Sequence, residues 1–176
     1  IFFVAMKTGN PDNPLIIQSD STLLLDVHNG NFAPARNDIA PFAELEKSPE
    51  HIHTYRISPL SLWNAASAGL DSGHIVDILD KWSRFDIPDN IIFTIKDIIS
   101  RFGKLRLKET DDNNKLILVI EDKIILAELS AIEKLRKYLF PIDKGFSINL
   151  VDRGTVKLEL IKLGYPVKDE APLING

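Results

Sequence analysis

Apolar residues in this chain come in short bursts whose spacing changes from strand-like to helical and back. Within residues 15–27, Leu15, Ile16 and Ile17 lie on one side of Ser19-Asp20-Ser21 and Leu23, Leu24 and Leu25 on the other, which predicts a β-hairpin. From Pro34 to Lys47, Ile39, Phe42, Ala43 and Leu45 fall near helical spacing, so a helix ending before Ser48-Pro49 is expected. His53 to Ile57 alternates polar and apolar side chains, as a half-buried strand does. Ser58-Pro59 then offers an N-cap followed by proline at the first helical position. The helix it opens carries Leu60, Leu62, Trp63 and Ala66 and should stop at Gly69.

A second helix begins at Asp71 or Ser72, with Ile75, Ile78, Leu79 and Trp82 at i, i+3, i+4 and i+7, the stripe of a core-facing helix. Joined through Gly69-Leu70-Asp71, the two have helix-turn-helix proportions. A third helix is expected over 90–102, after the Ile87-Pro88-Asp89 break and up to Gly103. Two strands follow, 105–108 and 115–120, around a polar turn at 110–114. Three helices and then a hairpin is the order of a winged-helix module. Beyond it the pattern restarts as a strand, a helix over 130–139, a strand over 146–150 and a helix over 152–163. Asp152 is its N-cap, and Gly164 with Pro166 its stop. The expected fold class is α+β, a winged-helix-like module with an N-terminal β-hairpin (residues 14–110) followed by a small βαβα unit (111–170). Residues 1–13 read as a tail and 171–176 as a linker. Met6 is the sole methionine, and a vector-derived origin or an upstream start is the expectation for residues 1–5.

Composition narrows the function classes. The balance of 44% hydrophobic and 26% charged residues over 176 positions is that of a globular chain, and there are no cysteines to form disulfides or a thiolate zinc site. No apolar run is long enough to cross a bilayer. The net charge of −4 argues against indiscriminate coating of nucleic acid, but it is unevenly spread. Residues 1–80 carry four basic and ten acidic side chains, whereas 81–108 carry seven basic and three acidic.

That basic segment supplies the candidate nucleic-acid-binding residues Lys96, Arg101, Lys104, Arg106 and Lys108, placed on the third helix and the first hairpin strand, where lysine and arginine would lie on phosphates. The alternative is a solvated charged face, and Asp111 and Asp112 at the hairpin tip would oppose phosphate. His51 and His53 would share one strand face, with Glu50 beside them, but no third ligand stands at a recognisable spacing, and no metal site is assigned. Trp63 and Trp82 lie on inward stripes and are expected in the core. No Gly-x-Ser-x-Gly elbow marks a nucleophile, and no glycine-rich loop ends in Gly-Lys-Ser or Gly-Lys-Thr; the sole Gly-Lys pair, Gly103-Lys104, precedes Leu105. No catalytic residue and no cofactor-binding residue is expected.

The run IAPFAELEKSPEHIHTYRISPLSLWNAA (39–66) resembles the N-terminal region of bacterial XPB-type DNA-repair helicases. The likeness extends through PLIIQSDSTLLLDV (14–27), DILDKWSRFDIP (77–88) and ISRFGKLRL (99–107), and more thinly through LIKLGYP (160–166). The resemblance implies a non-catalytic accessory domain of an ATP-dependent 3′–5′ helicase in nucleotide excision repair, acting in the cytoplasm. ATP and magnesium would belong to a helicase core that follows this region. The implied partners are single-stranded or forked DNA, the helicase core of the same chain, and a repair nuclease. Within the family the EHIHTY segment implies structural hydrogen bonding, and the region after Asp111 a part proposed to sense damage. The alternative is a protein-docking or autoregulatory domain, motivated by the acidic first 80 residues.

Overall fold

The apolar bursts on either side of Ser19-Asp20-Ser21 close the expected hairpin in a computed structural model that describes residues 9–172. β1 (Leu15–Ile17) and β2 (Thr22–Asp26) pair antiparallel with Leu15 opposite Leu25, and Ser21 makes the turn at a φ of +71°. The described residues divide into two compact units, one through Ser100 and one from Arg101. Both are mixed α and β, as expected. The termini at 1–8 and 173–176, where most of the tail and most of the linker were expected, lie outside the described residues. Residues 9–13 are not a loose tail: Asn13 Nδ2 donates to the carbonyls of Lys81 and Ser83, both at 3.0 Å.

In the first unit the sheet order is β1-β2-β4-β3, with β3 at Glu44–Lys47 and β4 at Ile52–Arg56. The helix expected from Pro34 to Lys47 is therefore corrected. α1 covers only Phe32–Ile39, because Pro41 has no N–H to continue the ladder, and the chain re-emerges as the edge strand β3. All four β3 residues are exposed, and three of them are charged, a composition that discourages further strand addition.

α2 (Pro59–Ser67) starts in a reciprocal cap: the Ser61 N–H donates to Ser58 Oγ and the Ser58 N–H to Ser61 Oγ. α3 (Ser72–Trp82) starts where Asp71 Oδ1 accepts the His74 N–H at 2.8 Å. α4 (Asp89–Ser100) completes the helices. Leu15, Leu23, Leu25, Ile39, Leu62, Ile75, Leu79 and Ile95 are fully buried together, each contributing about 1.5–3 kcal/mol over exposure. Trp63 and Trp82 belong to the interior, as expected. The Trp63 indole donates to the Ile98 carbonyl and the Trp82 indole to Asp38 Oδ2 at 2.8 Å.

The second unit departs further from the expected pattern. β5 (Leu105–Glu109) and β6 (Lys115–Ile120) form the hairpin, which falls in the second unit while the three helices fall in the first. It is the centre of a five-stranded sheet ordered β7-β8-β6-β5-β9, with β7 at Phe140–Ile142, β8 at Gly145–Asn149 and β9 at Val167–Asp169. Alternate residues Leu105, Leu107, Leu116, Leu118 and Ile120 are buried, and a hairpin so apolar on one face needs a sheet and helices around it. The division consequently falls at Ser100–Arg101 and not near Asp111.

The helix expected over 130–139 is replaced by α5 (Lys123–Ser130), a 3-10 turn at Glu133–Leu135 and β7. Asp122, whose Oδ1 accepts the N–H groups of Ile124 and Ile125, sets the start of α5. α6 (Arg153–Lys162) follows. The expected βαβα order is thus ββαββαβ, closed by the parallel pairing of β5 with β9.

Candidate nucleic-acid interface

Strand alternation sorts the second sheet into two faces. Leu105 and Leu107 on β5, Leu116, Leu118 and Ile120 on β6, and Phe146 and Ile148 on β8 pack in one cluster with Leu129 of α5 and with Val156 and Leu160 of α6. Both helices therefore cover that face. The opposite face presents Arg106 and Lys108 of β5, Ile117 and Val119 of β6, and Phe140 and Ile142 of β7, none of them buried. Phe140 and Ile142 are 46% and 42% exposed. The register draws one row across the sheet through Ile142, Gly145, Val119, Arg106 and Lys168, and a second through Phe140, Ser147, Ile117 and Lys108. Lys168 and Phe140 were not singled out from sequence, because a three-residue strand such as Val167–Asp169 carries too little alternation to be seen.

The five expected basic residues are divided between the two units. Lys96 is exposed on α4 in the first unit, and the other four belong to the second. Arg101 is half-buried, and its Nη1 donates to the Gly164 carbonyl at 3.4 Å. Arg106 meets Glu121 at 3.4 Å, while Lys108 and Lys168 lie 3.9 and 3.8 Å from Glu170. These are partly exposed pairs, worth little to stability and readily exchanged for another anion. Lys104, Arg106 and Lys168 line one open pocket at the start of β5, where Asp122 is occupied as the α5 cap and Glu121 pairs with Arg106.

The edge strand β9 is held by a partly buried ion cluster. The Arg153 guanidinium donates to both Asp169 carboxylate oxygens at 2.8 Å, and Lys157 Nζ donates to Asp169 Oδ2 at 3.0 Å. Burial by itself would raise the Asp169 pKa, but these two cations outweigh it and hold the carboxyl below its ordinary range. Arg153 also donates to the carbonyls of Ala171 and Pro172, so the cluster fastens β9 and its exit to α6.

Comparison with known proteins accounts for both units. The profile described as the helicase conserved C-terminal domain matches residues 15–141. The chain is 42% identical over 167 residues to the DNA 3'-5' helicase XPB of Mycobacterium tuberculosis and 40% identical over the same length to that of Kineococcus radiotolerans. Each alignment covers 94% of this chain. It is 32% identical to the XPB helicase/translocase subunit of general transcription and DNA repair factor IIH in Enterocytozoon bieneusi. This chain belongs to the XPB-type helicase family. It spans 30% of the length of the two bacterial relatives and 27% of the third.

In this XPB-type chain the sequence contains no Gly-Lys-Ser or Gly-Lys-Thr. Among the described residues, no three His, Cys, Asp or Glu side chains are placed to hold a metal, and no helix is long and apolar enough to cross a membrane. The EHIHTY segment does carry a hydrogen bond. It joins His51 Nδ1 to His28 Nε2 at 2.7 Å, one ring donating and the other accepting. His53, expected on the same face as His51, lies in β4 with its ring in T-shaped contact with Phe32, while His51 precedes the strand.

Proposed function

We propose that this chain is a non-catalytic accessory region that positions DNA for the motor of an ATP-dependent 3′–5′ XPB-type helicase in DNA repair. The observation that carries the reading is the bare face of the second sheet. Lys104, Arg106, Lys108 and Lys168 gather at one side of an apolar strip, while both helices are committed to the other face. The second unit holds fourteen basic and twelve acidic side chains, +2, inside a chain whose total is −4. Phosphate attraction is thereby confined to one unit. ATP and magnesium belong with the helicase core, which is the first partner of this region.

The test is fluorescence anisotropy with labelled single-stranded, duplex and forked DNA at two salt concentrations. Binding should weaken steeply with salt. Combining Arg106→Glu with Lys108→Glu should lower the slope of log K against log salt by about 1.4 on a single strand, at about 0.7 per lost phosphate contact. An unchanged slope would sink the assignment.

A second reading is favoured by the first unit, where seven basic side chains face thirteen acidic ones, −6. Such a surface repels DNA and suits docking on a basic partner, either the motor or a repair nuclease. Capture of the helicase core that survives moderate salt, without DNA, would support it.

A further inference from the structure

We infer that the bare face of the second sheet takes single-stranded DNA, with an unpaired base stacked on Phe140 and the backbone running over Arg106, Lys108 and Lys168. This deepens the DNA-positioning reading and rests on it.

The argument starts from the neighbours of the Phe140 ring. Its cross-strand partner on β8 is Ser147, and the diagonal positions are Gly145 and Asn149, so β8 sets no bulky side chain beside the ring. The ring is 46% exposed on a face that also carries Ile142, Ile117 and Val119. An aromatic ring with a free surface on a sheet whose far side carries cations is what a splayed base needs for stacking; a paired base is already stacked on both sides.

The spacing also fits a strand crossing the sheet. β7 and β5 are three strand intervals apart and β7 and β9 four, which at about 4.8 Å per interval is roughly 14 and 19 Å. A base on Phe140 therefore leaves a short stretch of backbone to reach Lys108 and then Lys168.

The β7 edge of the same sheet, beside the Phe140 ring, disfavours the competing mode of binding, strand addition. β7 carries Pro141, which has no N–H to offer an incoming chain. What remains for recognition is the face itself, apolar at the β7 side and cationic at the β5 and β9 side. Gly145 lies in the row between Ile142 and Val119. It sits at a φ of +156°, and a Cβ there would overlap the Leu118 carbonyl oxygen.

The experiment uses the 176-residue chain with three labelled probes: oligo-dT, an abasic strand of equal length and charge, and a blunt hairpin duplex. Oligo-dT should bind more tightly than either of the others. Phe140→Ala and Phe140→Leu should each weaken oligo-dT binding roughly tenfold without changing the salt slope, while Phe140→Tyr keeps it. Circular dichroism establishes that each variant is folded, and Phe140→Leu retains the apolar bulk should Phe140→Ala lose structure. If the abasic strand or the duplex matches oligo-dT, or if both Phe140→Ala and Phe140→Leu bind within twofold of the parent, the stacking inference is overturned and the DNA-positioning reading stands. If no probe binds at low salt, the positioning reading itself fails.

Discussion

The two units are built from similar materials and differ in what they leave uncovered. In the first, an antiparallel four-stranded sheet and four helices share one core, both tryptophans are buried in it, and the net charge is −6. In the second, a mixed five-stranded sheet has both helices on one face, no tryptophan, and a charge of +2. A total of −4 would describe neither. The difference teaches that charge and composition act per compact unit. A chain of net charge −4 can carry a compact unit of the opposite sign, because basic and acidic side chains are apportioned unequally between its two parts.

Because Trp63 and Trp82 both lie in the first unit, tryptophan emission reports that unit alone, and the comparison can be broken from either side. The largest effect is expected from Gly145→Ala, since the Leu118 carbonyl occupies the space the methyl needs. It should destabilise the second unit by about 3 kcal/mol. A loss of far-UV ellipticity on heating that precedes the tryptophan transition would show it; simultaneous loss would show that the units unfold as one.

Next in size is Asp169→Asn, which leaves Arg153 and Lys157 without their anion at a cost of about 3 kcal/mol or somewhat less. The sign with pH follows from the lowered folded pKa. The cluster contributes fully above the unfolded carboxylate value, near 3.9, and its contribution is lost as pH falls through the lower folded value. The parent chain should therefore lose second-unit stability as pH falls below about 4, and Asp169→Asn should flatten that dependence in acid unfolding followed by circular dichroism.

Ser58→Ala, by contrast, touches only the first unit. Removing the hydroxyl that accepts the Ser61 N–H should cost about 1 kcal/mol, visible in tryptophan emission during urea unfolding. The smallest effect is expected from Lys96→Glu, because this cation stands on α4, outside the unit that carries the bare sheet face. Its DNA salt slope should change by well under the roughly 0.7 assigned to one phosphate contact. A full step at Lys96 would mean that both units touch DNA.

Legibility followed the strength of local signals. The Ser58-Pro59 start, the Ile75, Leu79 and Trp82 stripe and the hairpin around Ser19-Asp20-Ser21 were all readable, because cap chemistry and side-chain periodicity act within a few residues. β3 was not, since Glu44–Lys47 is exposed along its whole length and owes its strand form to pairing with β4. The basic segment was visible as composition, but its dispersal was not. Lys96 fell to one unit, Arg101 turned to the Gly164 carbonyl, and Lys168 arrived from far downstream of β5.

Sequence alone determined the α+β class, the family, the buried tryptophans and the absence of a nucleotide loop, because each depends on residue identity or on spacing within one element. Which hairpin belongs to which sheet, where the units divide, and that Phe140 shares a face with Arg106 and Lys108 were decided by tertiary structure. Those facts depend on the register between strands distant in the chain, and the burial of Leu105, Leu107, Leu118 and Phe146 on one side of the sheet sets that register for everything on the other.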